Sequence, residues 1–262
     1  MPNWRIRALA CCVAATTLLG GSATATGPGG TSCDEALGGS SPSEECRVLH
    51  PGDSVYLPGG GFLCTVNFLW RGIDGHRYMG TAGHCALGSR VGERVESRDG
   101  RAVGRLAYVI YDAGRRGGED FALVRLDPKV QASPQVRHWG GPSTSYRAMS
   151  DRPQTLLMFG QAIGISAVAP ARELQASAVT HPKRIRFVGP ASFSDSGAPV
   201  ITEAGEAAGW VTTLSDGAVP VDTGASGAVE LGTSYLIRIG PMVDLAERAL
   251  RTQLVLQTAP LN

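Results

Sequence analysis

Short apolar runs alternate with turn-forming clusters along most of this chain. Phe62–Trp70, Arg77–Ala82, Ala102–Tyr111 and Phe121–Leu126 make a first set of strand-like runs. A polar Gly/Pro/Ser segment, Gly140 to Pro153, separates it from a second set. That set comprises Thr155–Gly160, Ile163–Val168, Ile185–Val188, Ala198–Thr202, Ala208–Leu214 and Ser234–Ile239. Apolar runs this short, bounded by Gly, Pro, Asp and Ser, predict β-strands joined by turns. The period changes only near the end. Met242, Val243, Leu245, Ala246, Ala249, Leu250 and Leu254 recur at helical spacing with charges between them, which predicts an amphipathic helix over about 241–255. The 35 glycines and 16 prolines disfavour a helical protein and agree with many short strands. The predicted class is all-β, a sandwich or a pair of barrels, with a C-terminal helix docked on it.

The first residues follow another pattern. Arg5 and Arg7 precede an apolar run from Ala8 to Leu19, and Ala23-Thr24-Ala25 offers a small-residue cleavage site, so residues 1–25 read as an export signal. The apolar run is shorter than the ~20 residues a membrane-spanning helix needs. Residues 26–47, rich in Gly, Ser, Thr and Pro, read as a flexible lead-in to a domain over 48–262. The expected location is extracellular. A formal net charge of +1 argues against a nucleic-acid binder or a membrane-surface protein, which carry a basic excess.

Without the signal, Cys33, Cys46, Cys64 and Cys85 are left. Four cysteines in an exported chain predict two disulfides, with three pairings open. Pairing sequence neighbours gives Cys33–Cys46 and Cys64–Cys85. The second bond would close a loop of roughly 20 residues and stabilise by on the order of 3 kcal/mol. A zinc site built from Cys64, His76, His84 and Cys85 is disfavoured because the spacing matches no common zinc pattern.

Three segments carry chemistry. In Ser192-Phe193-Ser194-Asp195-Ser196-Gly197-Ala198-Pro199-Val200, a tight turn can hold the Ser196 hydroxyl proud while peptide N–H groups point into the same space. A serine needs a base to become nucleophilic. His84, in Thr81-Ala82-Gly83-His84-Cys85, supplies an imidazole that can take up and return a proton. Asp120 stands where the Gly-rich run Gly117-Gly118-Glu119 enters the strand Phe121–Leu126, placed to accept an imidazole N–H. Glu119 would face the opposite way on that strand.

Together these runs resemble the chymotrypsin-like serine peptidases of the secreted bacterial type. The resemblance rests on Thr81–Cys85, Asp120–Leu126 and Ser194–Pro199, in the order His, Asp, Ser. The pair Cys64–Cys85 matches the disulfide that ties down the histidine loop in many members. The resemblance implies two antiparallel six-stranded β-barrels, one over about 48–140 and one over about 141–240, with the site in the cleft between them. It implies a monomeric serine endopeptidase without cofactor or metal, acting on peptide or protein substrates through an acyl-enzyme. His84 would be the general base, Asp120 its orienting partner and Ser196 the nucleophile. The N–H groups of Ser194 and Ser196 would receive the oxyanion.

Pro190 falls at the position that sets charge selectivity in trypsin-like members, so no preference for basic residues is implied. Thr212 and Thr213 would line the start of the strand that pairs with the substrate backbone. Ser194 and Ala198 stand where the family usually carries Gly. Gly allows backbone angles that cost other residues roughly 1–2 kcal/mol, so the alternative function is a weak or inactive homologue acting as a binding protein. No Arg/Lys-Ile-Val-Gly-Gly run is present to free a terminus for Asp195. Asp195 is therefore expected to find an internal partner such as an Arg.

Overall fold

The structure is a computed structural model. It describes residues 48–262, except 58, 60, 62, 113–117, 149–151, 162–168, 178–180, 215–218 and 222–228. The first half of the chain supplies β1 (Ser54–Tyr56), β2 (Leu63–Thr65), β3 (Leu69–Gly72), β4 (Arg77–Thr81), β5 (Arg94–Ser97), β6 (Ala102–Tyr111) and β7 (Asp120–Leu126). The second supplies β8 (Thr144–Ser145), β9 (Gln154–Phe159), β10 (Ala171–Ala176), β11 (Arg184–Ser192), β12 (Pro199–Thr202), β13 (Glu206–Leu214), β14 (Val219–Val221) and β15 (Val229–Arg238). A helix, α1 (Ile239–Leu250), and β16 (Leu254–Leu256) end the chain.

The strands assemble into two sheets. The first has the order β16-β3-β4-β7-β6-β5-β1-β2 and curls into a half-barrel. The second has the order β14-β15-β11-β10-β9-β12-β13-β8, and a further pairing of β15 with β13 closes six of its strands into a barrel. This is the two-barrel, all-β arrangement with one C-terminal helix that the sequence predicted.

Side-chain alternation explains the second sheet. In β10, Arg172, Leu174 and Ala176 point inward while Glu173 and Gln175 face solvent. In β11, Ile185 and Phe187 alternate with exposed Arg186 and Val188. Leu156, Met158, Leu174, Phe187, Val200 and Leu236 fill this barrel, each worth ~1.5–3 kcal/mol of burial. A larger cluster under the first sheet includes Leu57, Phe68, Met79, Leu106 and Phe121, and it continues to Trp210, Met242 and Ala246.

Three differences from the expected elements have local causes. Phe62–Trp70 divides into β2 and β3, because the Asn67 carboxamide oxygen accepts the Phe68 N–H at 2.8 Å and competes with the ladder. The helix stops at Leu250, where Arg251 takes a left-handed φ of 55° and its N–H returns to the Glu247 carbonyl. Leu254, assigned by periodicity to the helix, instead opens β16 opposite Gly72 of β3. The run Ile163–Val168 lies outside the described residues, as do Cys33 and Cys46.

Candidate active site

Beyond β4 the chain makes a single 3-10 turn, Gly83–Ala86, which carries His84. The turn presses against β6 and β7 so closely that a Cβ on Gly83 would lie 2.0 Å from the Ile110 carbonyl oxygen. Only glycine fits there. A disulfide joins Cys85 of this turn to Cys64 of β2, the pairing expected from sequence neighbours. Asp120, buried at the start of β7, meets the turn twice. The His84 backbone N–H donates to Oδ1 at 2.8 Å, and the ring Nδ1 lies 2.8 Å from Oδ2. An acceptor-only carboxylate at Nδ1 assigns the proton to that nitrogen and leaves Nε2 as the acceptor of a neutral ring.

Two groups from β13 complete the surroundings of Asp120. The Thr212 hydroxyl donates to Oδ2, and Trp210 Nε1 donates to the Asp120 carbonyl at 3.0 Å. Trp210 also stacks on Phe121 with ring centroids 4.5 Å apart. The register of β13 against β15 slips between Val211 and Thr213. Such a bulge re-aims the side chain it carries, here turning Thr212 toward the carboxylate rather than outward. Tyr111 closes the other side, its ring 5.9 Å from that of His84. Burial, and then the charge of Asp120, push the Tyr111 phenol above its ordinary range.

Ser196 lies in the loop between β11 and β12. The loop folds around Asp195, whose N–H donates to the Ser192 carbonyl at 3.1 Å while its carbonyl accepts the Ala198 N–H at 2.7 Å. The Asp195 carboxylate is fully buried and held by both ends of the Arg172 guanidinium, at 2.7 Å and 2.5 Å. The Ser192 N–H adds a third contact at 3.0 Å. Arg172 also donates to the Pro190 carbonyl at 3.3 Å. The internal arginine expected for Asp195 is thus Arg172. Its signal in the sequence is a cation in the inward phase of an alternating strand.

Ser194 adopts φ of 76°, the left-handed angle that favours Gly. Its carbonyl is pinned by the Thr65 hydroxyl at 2.6 Å, and the Thr65 N–H donates to the Ser196 carbonyl at 2.9 Å. Thr65 is itself tied to β4 through the Thr81 hydroxyl at 2.8 Å. Gly197, at φ of 89°, packs so tightly that a Cβ would lie 2.2 Å from the Thr65 carbonyl oxygen and 2.9 Å from the Ala82 nitrogen. The loop of Ser196 therefore docks on the residues just before His84. No hydrogen bond joins Ser196 to His84 among the described residues. The backbone N–H groups of Ser194 and Ser196 likewise donate to no described residue.

The remaining expected residues are dispersed. Pro190 is half-buried in β11 opposite Leu231. The Thr213 backbone pairs with Tyr235, and its side chain lies outside the described residues. Among the described residues, no group of His, Cys, Asp or Glu is arranged to hold a metal ion. No described helix is long and apolar enough to cross a membrane.

No protein-family model and no curated relative matches the sequence. Solved structures do. A Nocardiopsis protease is similar over 79% of this chain and 98% of its own, at 19% identity and a TM-score of 0.51. This chain has the chymotrypsin fold. A Glu endopeptidase is similar over 80% of this chain and 95% of its own, at 12% identity and a TM-score of 0.46. An HtrA-type protease is similar over 78% of this chain and 61% of its own, at 17% identity and a TM-score of 0.49. In a chymotrypsin fold the half-barrel carries His84 and Asp120, and the closed barrel carries Ser196.

Proposed function

We propose that this protein is a secreted serine endopeptidase that cleaves peptide bonds through an acyl-enzyme on Ser196. One observation carries the reading. The His84 ring is held by Asp120 at Nδ1, which leaves Nε2 to accept a proton. Nε2 takes the Ser196 proton as Oγ attacks the substrate carbonyl. The negative charge formed on the carbonyl oxygen is received by the N–H groups of Ser194 and Ser196, worth a few kcal/mol of barrier. The tetrahedral intermediate collapses as His84 passes its proton to the departing amine. Water, deprotonated by His84, then releases the acid and restores Ser196. A hydrogen bond between Ser196 and His84 that forms only when substrate arrives accords with this chemistry.

The left-handed φ of Ser194 supports a working oxyanion site over the binding-protein alternative. The angle that Gly would supply is reached by Ser, at roughly 1–2 kcal/mol. Pro190 offers no carboxylate, so a neutral residue on the acyl side of the cleaved bond is the proposed preference. Export follows from the pattern of residues 1–25.

The test is labelling of the full protein with a fluorophosphonate, compared with Ser196→Ala. Labelling of the wild type alone, with release of amine from a peptide library, is the expected result. A folded wild type that takes no label sinks the peptidase and leaves the binding protein. N-terminal sequencing of protein from the medium checks export, with a start near Thr26 expected.

A further inference from the structure

The two donors proposed for the oxyanion are held in different ways. A planar peptide points its N–H and its carbonyl in opposite directions, so fixing one fixes the other. The Ser196 N–H shares a peptide with the Asp195 carbonyl, which accepts the Ala198 N–H at 2.7 Å. Its direction is therefore set within the loop. The Ser194 N–H shares a peptide with the carbonyl of Phe193, an exposed residue whose carbonyl accepts from no described residue. This second N–H takes its direction from the Ser194 carbonyl on its other side, through the backbone angles of Ser194.

The φ of Ser194, 76°, lies in the region that L side chains avoid. A residue stays there only where its surroundings over-determine it. Among the described residues, Ser194 makes one hydrogen bond, accepted by its carbonyl from the Thr65 hydroxyl at 2.6 Å. Thr65 is buried in β2 of the half-barrel sheet and is itself well fixed. Its N–H donates to the Ser196 carbonyl at 2.9 Å, and its carbonyl accepts the Thr81 hydroxyl at 2.8 Å. Cys64, beside it, is bonded to Cys85 in the His84 turn. A threonine hydroxyl has one proton to donate, and here Ser194 receives it.

We propose that Thr65 is a positioning residue of the oxyanion site: its hydroxyl keeps Ser194 left-handed and so keeps the Ser194 N–H turned toward the carbonyl oxygen of the cleaved bond. This role presupposes the peptidase reading of Ser196. Thr65 touches neither substrate nor reacting atoms and acts only through Ser194. Without its hydroxyl, the buried Ser194 carbonyl loses its partner, and the peptide turns to regain one and carries the N–H away. Binding of the uncleaved peptide does not use that N–H fully, so the loss falls on the transition state. The half-barrel thus contributes the hold on a donor that the closed barrel carries, besides contributing His84.

The test compares Thr65→Val and Thr65→Ala, which lack the donor, with Thr65→Ser, which keeps it, all in the full chain. For a peptide amide drawn from the library, kcat and KM are measured. Ki is measured for the matching peptide aldehyde, which forms an oxyanion on Ser196, and for the matching alcohol, which does not. The expected kcat of the Val and Ala variants is about 10- to 100-fold lower, less than the ~10²–10³-fold of removing an oxyanion donor outright. The aldehyde should weaken by a similar factor, while KM and the alcohol Ki stay within about twofold. Thr65→Ser should restore kcat, and the pH midpoint of kcat should not move in any variant. A wild type without activity defeats the peptidase reading, and this role with it. An active wild type whose Val and Ala variants keep full kcat overturns Thr65 alone. Equal weakening of aldehyde and alcohol does the same. So does failure of both variants to fold, read from Tm, which makes Thr65 structural.

Discussion

In the half-barrel, a covalent bond and a buried carboxylate hold the turn of His84. In the closed barrel, a buried ion pair and hydrogen bonds from the other half hold the loop of Ser196. The His84 turn is fixed from within its own sheet: Cys85 to Cys64, Gly83 against Ile110, and two contacts to Asp120. The Ser196 loop leans on Arg172 from beneath and on Thr65 from across the interface. The contrast teaches that orientation and stability are separable here. Loss of an Asp120 contact changes which way a ring points, whereas loss of Arg172 leaves a buried charge without its counter-ion.

The largest expected effect tests orientation. For the proposed peptidase, Asp120→Asn lowers kcat for peptide hydrolysis about 10⁴-fold, because the amide presents a donor to Nδ1 and favours the wrong tautomer. Its Tm should barely change, and a loss below tenfold removes Asp120 from the mechanism. Next comes Arg172→Met, which strands Asp195 and costs about 3–5 kcal/mol. At roughly 2–4 °C per kcal/mol for a domain of this size, calorimetry should show a Tm lower by about 6–20 °C. Arg172→Met with Asp195→Leu should recover much of that Tm without recovering fluorophosphonate labelling. A single variant as stable as the wild type contradicts the account of how the closed barrel holds its loop.

Cys64→Ser with Cys85→Ser should cost on the order of 3 kcal/mol, read as a lower denaturant midpoint at constant m. If the loss exceeds that of Arg172→Met, the two halves are not held in the way contrasted here. The smallest effect belongs to Ser194→Gly. Relief of the left-handed strain is partly offset by the added freedom of the unfolded chain, for a net gain below about 1 kcal/mol. A destabilised Ser194→Gly shows that the serine side chain contributes something the φ angle does not reveal.

Much of this was legible in the sequence, and the illegible part has physical causes. Ala102–Tyr111 emerged as a strand with the predicted ends, because an uninterrupted run bounded by turn residues leaves little choice. The Cys64–Cys85 pairing followed from proximity along the chain. β10 was missed since Arg172 and Glu173 break its apolar content, and only partners distant in sequence make that arginine an inward residue. The inward turn of Thr212 depends on a register slip between β13 and β15, which local pattern does not encode. Leu254 fits a helical period as well as it fits β16. The left-handed Arg251 and the open edge of β3 decide between them.

That last strand has a consequence for biogenesis. β16 completes the sheet of the chain's first half by pairing with β3. Beyond it, the Ala259 N–H reaches the Pro142 carbonyl, and the Gly141 and Asn262 N–H groups bond Pro260 and Trp139. The half-barrel emerges first from the ribosome, yet the edge of β3 stays open until Leu254–Leu256 has been made. Completion of the half-barrel therefore waits until the strands of the closed barrel have been made as well. Expressed as separate fragments, the half-barrel should show an open β3 edge, while the closed barrel keeps its own pairings and carries β16 without its partner.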